Sequence, residues 1–349
     1  MSAPVRIALL GAGLIGRGHA ALIEEHSAAQ LAGIVDVDPD AGSLAVRLGV
    51  PFDDDVERLL DATSPDAVIV ALPNRLHVSA GLACVRRGLP VLVEKPVADT
   101  VEAARELVET AEAAGVPVLV GHHRRHAPDL RAARAALDRG DLGRLVAVSA
   151  LCVVRKHETY FETAWRREPG GGPILINAIH DVDALRFLCG EIDAVQAIGS
   201  HAVRGLAVED TVAVALRFES GALGTLLLTD SAPSPYFWEI AAEQSLALPL
   251  EREDCYHLFG TDGTLALPTM TTWGHDPGGD WRDPLRRGAL DAPAASCYVA
   301  QLDNLVAVAR GEAEPVVSGR DGMRTLAATL AIARAAEGER VVRPAELGG

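Results

Sequence analysis

Val5-Arg6-Ile7-Ala8-Leu9-Leu10-Gly11-Ala12-Gly13-Leu14-Ile15-Gly16 decides the fold of this chain. An apolar, β-branched run enters a glycine turn, and Arg17 to His26 continue with helical spacing, so the stretch predicts strand, turn and helix. In that context the G-x-G-x-x-G pattern acquires a mechanism. The first glycine permits the turn, the second lets a pyrophosphate approach the backbone, and the third lets the helix pack on the strand. The helix N-terminus then offers its amides to the anion, which makes Gly11, Gly13, Leu14, Ile15 and Gly16 the expected cofactor cradle. A second strand, Leu31 to Val35, ends on Asp36, about 20 residues beyond Gly16. A carboxylate there accepts hydrogen bonds from the adenosine ribose hydroxyls and repels a 2′-phosphate, so NAD is expected in preference to NADP. Asp38-Pro39 caps the next helix, with proline at its first position.

Alternation continues: Asp53 to Leu60 reads as a helix, Ala67 to Ala71 as a strand, and Asn74 to Arg87 as a helix. The strand on the apolar run Pro90 to Val93, the helix Val101 to Ala114 and the strand Pro117 to Val120 complete the series. Strands and helices in this rhythm predict a doubly wound parallel sheet whose ligand lies at the carboxyl ends of the strands. The turn Leu72-Pro73-Asn74-Arg75-Leu76-His77 leaves one such end, which places Pro73, Asn74 and His77 as candidates to face the cofactor. Asn74 serves equally well as a helix cap, and His77 as a structural residue.

Glu94-Lys95-Pro96 leaves another of those ends. Of the 32 basic residues only Lys95 and Lys156 are lysine. In so lysine-poor a chain, a lysine at a strand end is expected to be needed as an amine, a compact point charge able to hydrogen-bond an alkoxide as it forms. Gly121-His122-His123-Arg124-Arg125-His126 follows the last strand. It reads as a polar substrate rim, with a solvated loop as the alternative. Metal binding is not expected, because adjacent histidines in an extended segment point to opposite faces and no cysteine is near.

Beyond the helix Pro128 to Arg139 the pattern becomes strand-rich, with Leu145 to Val154, Val195 to Ser200, Thr211 to Phe218, Gly224 to Thr229, His257 to Gly260 and Thr264 to Leu267. One helix interrupts them: Gly170-Gly171-Gly172-Pro173 opens Ile174 to Leu188, where Asn177 and His180, three apart, share a helical face. The glycines allow close backbone approach, as beside a cofactor, and a histidine with an amide neighbour is a candidate proton acceptor. Ala300 to Arg310 and Arg320 to Glu337 read as two amphipathic helices.

At 349 residues the chain exceeds one ordinary core. Its 49% apolar and 23% charged residues are those of a soluble globular protein. The net charge of −16 opposes a phosphate backbone, so nucleic acid is not an expected partner. Cys84, Cys152, Cys189, Cys255 and Cys297 are odd in number and widely spaced, which favours free thiols in a reducing cytoplasm. The apolar start, Ile7 to Ile15, is interrupted by glycines and followed by no small-residue cleavage site, so it is not read as a signal peptide. No apolar run has the length of a membrane span.

The glycine turn, Leu72-Pro73-Asn74-Arg75-Leu76-His77, Glu94-Lys95-Pro96 and the triple glycine leading to His180 together resemble the glucose-fructose oxidoreductase, inositol dehydrogenase and rhizopine catabolism (Gfo/Idh/MocA) family. The Gly121 to Pro128 segment looks like that family's arginine-bearing linker, and Ser318-Gly319-Arg320-Asp321-Gly322 resembles the turn before its last helix. The resemblance implies a Rossmann domain, residues 1–122, followed by an α+β domain, residues 123–349, with a large, mainly antiparallel open sheet that often makes dimer or tetramer contacts. It implies hydride transfer with NAD or NADP at a carbinol or carbonyl carbon of a sugar, cyclitol or related small polyhydroxy substrate, with Lys95 and His180 as the catalytic pair. Glu94 and Lys95 would contact the cofactor, and His123, Arg125, Asn177 and His180 the substrate. One departure stands out: where many members carry an aspartate four residues before the histidine, this chain has Ile176. Alternatives on the same fold are an NAD-dependent glycosidase using transient oxidation, an aromatic cis-dihydrodiol dehydrogenase and a non-catalytic sensor.

Overall fold

In the computed structural model, which describes residues 3–242, 244 and 248–348, the chain divides into two compact units. The first comprises Met1–His126 and Cys297–Leu326, the second Ala127–Ser296 and Ala327–Gly349. The division differs from the expected one at residue 122, because a late segment returns to the first unit.

In chain order the first unit runs β1 (Val5–Leu10), α1 (Leu14–Glu25), β2 (Ala29–Val35), α2 (Pro39–Leu48), β3 (Phe52–Asp53), α3 (Val56–Thr63), β4 (Ala67–Val70), α4 (His77–Arg86), β5 (Val91–Val93), α5 (Val101–Ala114) and β6 (Val118–Val120). The strands form one sheet in the order β3-β2-β1-β4-β5-β6, every neighbouring pair parallel. Helices on both faces explain why β4, β5 and β6 are unbroken runs of buried aliphatic residues rather than alternating ones. Strand order reverses between β1 and β4, and the crevice at such a switch point is where this architecture takes its ligand. Asp38 caps α2 through the Asp40 amide, as the Asp-Pro pair predicts.

The second unit contains α6 (Pro128–Arg139), β7 (Leu145–Val153), α7 (Ile179–Cys189), β8 (Ile192–Ser200), β9 (Thr211–Phe218), β10 (Leu223–Thr229), α8 (Trp238–Ala241), β11 (Tyr256–Gly260), β12 (Gly263–Leu267), β13 (Thr271–Gly274) and β14 (Arg286–Ala289). Its sheet has the order β14-β13-β12-β11-β7-β10-β9-β8, antiparallel throughout except for the pair β7–β10. β9 and β10 alternate buried with exposed residues, the mark of a sheet covered on one face only. The helix α7 is buried on nearly every side.

α9 (Cys297–Ala309) then returns to the first unit, where Leu302, Leu305, Val306 and Val308 join the core around Ile7, Ile23 and Ile69. Val317 accepts a hydrogen bond from the Val120 amide at 3.0 Å, and Ser318 bridges to Leu119, which extends the β6 edge before α10 (Gly319–Gly338) begins. Ser318 caps that helix, its hydroxyl accepting from the Asp321 amide at 3.1 Å and donating to the Asp321 carboxylate at 2.8 Å.

Candidate functional site

The first unit gathers its predicted residues at the carboxyl ends of its strands. In register, Leu10 pairs with Val35 and Val70, Val70 with Val93, and Val93 with Val120. Gly11, Asp36, Ala71, Glu94 and Gly121 therefore leave the sheet at one level. Gly11 has φ +96°, and a Cβ there would lie 2.5 Å from the Ala71 carbonyl oxygen, so the turn admits no side chain. A Cβ on Gly16 would stand 1.9 Å from the Gly11 oxygen. A Cβ on Gly13 would meet nothing within 4 Å. Gly13 caps α1 without a side-chain hydrogen bond, and the next residues, Leu14 and Ile15, are 87% and 54% exposed. Open space, uncapped amides and exposed aliphatic side chains at a helix start fit the pyrophosphate of a dinucleotide.

Asp36 is fixed by the turn it serves: the Ala12 amide donates to Oδ2 at 2.7 Å and the Asp38 amide to Oδ1 at 2.9 Å. Each oxygen keeps a lone pair for a ribose hydroxyl. Val37 follows and is exposed, so no cation stands next to Asp36 to accept a 2′-phosphate.

The glycine roles separate in a simple experiment. Gly16→Ala sets Cβ against backbone, which cannot swing aside, and is expected to cost about 1–3 kcal/mol of stability as well as NAD binding. Gly13→Ala is expected to leave stability unchanged while weakening NAD, because its methyl group enters only the cofactor's space. Thermal melts with and without NAD decide it; equal losses of Tm in the two variants contradict the assignment.

Glu94 accepts from His19 Nε2 at 2.8 Å, and a Cβ on Gly121 would lie within 2.9 Å of both its oxygens, so glycine is what lets the carboxylate lie there. Burial works against its charge, but the His19 hydrogen bond and the charges of His19, Lys95 and His123 outweigh it and hold the carboxyl at about 2. The stabilisation from this depressed carboxyl is fully present above its ordinary 4.5 and is lost as pH falls through about 2. Sequence reasoning did not find His19; its place one helical turn beyond the glycine motif was the available signal. Lys95 follows, half-buried.

His77 is 1% exposed and its ring nitrogens lie 2.8 Å from the Pro96 oxygen and 2.7 Å from the Leu72 oxygen. It ties the turn after β4 to the segment after Lys95, as a structural residue would. Pro73 and Asn74 stay exposed, Asn74 opening a 3₁₀ turn ahead of α4. The segment His123–His126 is a 3₁₀ turn buried throughout, neither a solvated loop nor an open rim. His123 stacks on Tyr298 with ring centres 4.4 Å apart, and Arg125 pairs with Asp321 at 3.3 Å. In the first unit, therefore, both hold the returning segment.

In the second unit, His180 lies in the first turn of α7 and is 8% exposed. Tyr256 donates its hydroxyl to Asp181 at 2.5 Å and stacks on Trp238 at 4.8 Å, bracing the turn that carries the histidine. The preceding residues, Ile174–Ala178, form a π turn rather than the expected α-helix. Glu209 accepts from the Ile174 amide at 2.9 Å, and a Cβ on Gly172 would lie 2.4 Å from that carboxylate, so this glycine makes room for a group of its own chain. The π turn carries Asn177, whose Oδ1 accepts from Lys156 Nζ at 2.7 Å. Lys156, passed over in the sequence, is thus the partner of Asn177. Burial draws its ammonium down to about 8, with Asp230 pulling the other way. Among the described residues no cluster of three or more His, Cys, Asp or Glu could hold a metal ion, and no helix is long and apolar enough to cross a membrane.

Comparison with known proteins agrees with this geometry. Residues 5–122 match "Oxidoreductase family, NAD-binding Rossmann fold", and residues 130–266 match "GFO/IDH/MocA C-terminal domain". A 1,5-anhydro-D-fructose reductase of Ensifer adhaerens is 32% identical over 292 residues, covering 80% of each chain. A myo-inositol 2-dehydrogenase of Thermotoga maritima is 27% identical over 99% of this chain and 100% of its own. Among solved structures, the WlbA dehydrogenase of Bordetella pertussis in complex with NADH and UDP-GlcNAcA superposes with a TM-score of 0.79 at 25% identity, covering 97% of this chain and 98% of that one.

Proposed function

The chain belongs to the GFO/IDH/MocA family of NAD-binding oxidoreductases of sugars and cyclitols, and from that premise we propose that it oxidises a secondary alcohol of a polyhydroxy compound, with Lys95 and His180 as the catalytic pair. NAD, when bound, supplies the hydride acceptor. Gly11, Gly13 and Gly16 with the amides of Leu14 and Ile15 would hold its pyrophosphate, and Asp36 its adenosine ribose. His180 takes the hydroxyl proton as general base, and Lys95 donates a hydrogen bond to the oxygen as it becomes an alkoxide. Asn177 orients the substrate. The observation that carries the reading is the common level at which Gly11, Asp36 and Glu94 leave the sheet, with Lys95 one strand beyond the switch point. A panel of sugars, inositols and sugar acids with NAD and with NADP, followed by NADH absorbance, tests it. At least one polyol should reduce NAD faster than NADP; the reverse cofactor preference would overturn the role of Asp36.

The protein is read as a cytoplasmic homo-oligomer. Support for the compartment comes from its five cysteines, all buried and none in a disulfide. For the oligomer it comes from the uncovered sheet face, where Ile198, Ala213, Leu227 and Leu151 stand in one row across four strands. A second row sets Leu223 beside Ala147 and Phe259, and Ile198, Leu223 and Leu227 are 69%, 59% and 42% exposed. Contiguous apolar patches of this kind mark association surfaces. Sedimentation velocity should find a dimer or tetramer that Leu227→Asp dissociates; a wild-type monomer contradicts this.

A further inference from the structure

Lys156, Tyr160 and Arg166 have no part in the mechanism above. Lys156 follows β7, and its amide donates to the Asp230 carbonyl at 3.0 Å, which pins it against the end of β10. Its side chain, 12% exposed, reaches Asn177 at 2.7 Å, stands 3.6 Å from Asp230 Oδ2, and lies 4.4 Å from the centre of the Tyr160 ring. Asp230 is already engaged: Arg204 pairs with its carboxylate through Nη1 and donates to its carbonyl through Nη2 at 2.6 Å. Arg166 lies 3.9 Å from the centre of the same Tyr160 ring and donates to the Tyr160 carbonyl at 3.0 Å, with no carboxylate paired to it among the described residues. Lys156 and Arg204 thus share the Asp230 carboxylate, and Arg166 lies against the Tyr160 ring. The neighbouring carboxylates are engaged by backbone, Asp210 accepting from the Val203 and Arg204 amides and Glu209 from the Ile174 amide. The charged and titratable groups acting on Lys156 are Asp230 at the end of β10, Cys152 of β7 and Arg204, with the Tyr160 ring beneath it.

The amide of Asn177 adds direction. An ammonium only donates, so Oδ1 faces Lys156, and Nδ2 keeps two N–H groups that find no acceptor among the described residues. That donor stands in the turn directly before His180.

We infer that Lys156, Arg166 and the Nδ2 group of Asn177 form an anion subsite next to His180, so that the substrate is a polyhydroxy acid, a sugar or cyclitol derivative bearing a carboxylate. The inference deepens the proposed function and rests on it for the reaction, but not for binding. Calorimetric titration of the full-length protein, saturated with NADH, with D-glucuronate, D-galacturonate and D-gluconate, and with D-glucose, D-galactose and D-glucitol, tests it. Near pH 7 at least one acid should bind about tenfold or more tightly than its neutral counterpart, the worth of one charge-assisted hydrogen bond. That preference should shrink towards parity at about pH 9.5, where an ammonium of lowered pKa has lost its proton, and in Lys156→Met at either pH. Lys156→Arg should retain it near pH 7, and the pH arm on the wild type needs no variant to fold. Neutral sugars binding as well as the acids, a preference unchanged in Lys156→Met and at high pH, or no acid binding at all would each overturn the subsite. If acids bind preferentially yet no polyol reduces NAD, the proposed reaction falls and the subsite stands. If neutral polyols reduce NAD and acids bind no better, the subsite falls and the reaction stands.

Discussion

A Lys95→Ala enzyme is expected to turn over about 10²–10³-fold more slowly than the wild type, the usual cost of removing one donor aimed at a developing oxyanion. Its affinity for NAD and its Tm should stay nearly unchanged. The separation follows from where the residue sits. The strand that ends at Glu94 is anchored by Val91, Leu92 and Val93, all buried, and Glu94 is held by His19 and by its fit over Gly121. The strand packing and the His19–Glu94 hydrogen bond do not use the lysine side chain, whose charge only helps to keep Glu94 ionised. The adenosine half of the cofactor would be held by Asp36 and the glycine turn, which Lys95 does not build. Because the donor's hydrogen bond strengthens as charge develops on oxygen, the loss should appear in kcat rather than in KM alone. Near-normal kcat in this variant contradicts the assignment.

His180→Ala should lower turnover by about 10²–10⁴-fold, the range for loss of a positioned general base. It should also change the shape of the pH profile. A base must be neutral to take a proton, so oxidation by the wild type falls as the solution is acidified and the imidazole charges; residual activity in the variant should lack that limb. The turn carrying His180 is braced by Tyr256, Asp181 and Trp238, so the substitution removes the ring without removing its support. An acid limb that survives unchanged in His180→Ala means another group accepts the proton.

What the sequence disclosed, and what it withheld, divides along the range of the interactions. The glycine turn, Asp36 and the βα alternation are written in contiguous residues, because a strand end, a turn and a helix start need only their own chemistry. The mainly antiparallel character of the second sheet was legible in alternation, but β13 and β14 were not: Thr271–Gly274 and Arg286–Ala289 are four residues each, and β14 is exposed along its whole length. The buried His123–His126 turn was read as a rim or a loop because its partners, Tyr298 and Asp321, lie far along the chain. For the same reason α9 showed its helical pattern but not the unit it completes. The sequence left the cofactor-facing and structural readings of His77 level, because its two carbonyl partners are set by the course of the backbone, which no local pattern encodes. The π turn over Ile174–Ala178 moved Asn177 off the simple α-helical count from His180, and with it came Lys156, 21 residues earlier in sequence.

In the proposed reaction the protein moves a hydride from a carbinol carbon to NAD and releases the reduced cofactor. The most direct measurement uses a polyol substrate carrying deuterium at the reacting carbon, with mass spectrometry of the nicotinamide product. One deuterium should appear on NADH for each ketone formed, and labelling should slow by the factors given above in Lys95→Ala and His180→Ala. Substrate consumed while NAD stays oxidised and unlabelled, as in a cycle that returns the hydride to its product, would contradict it.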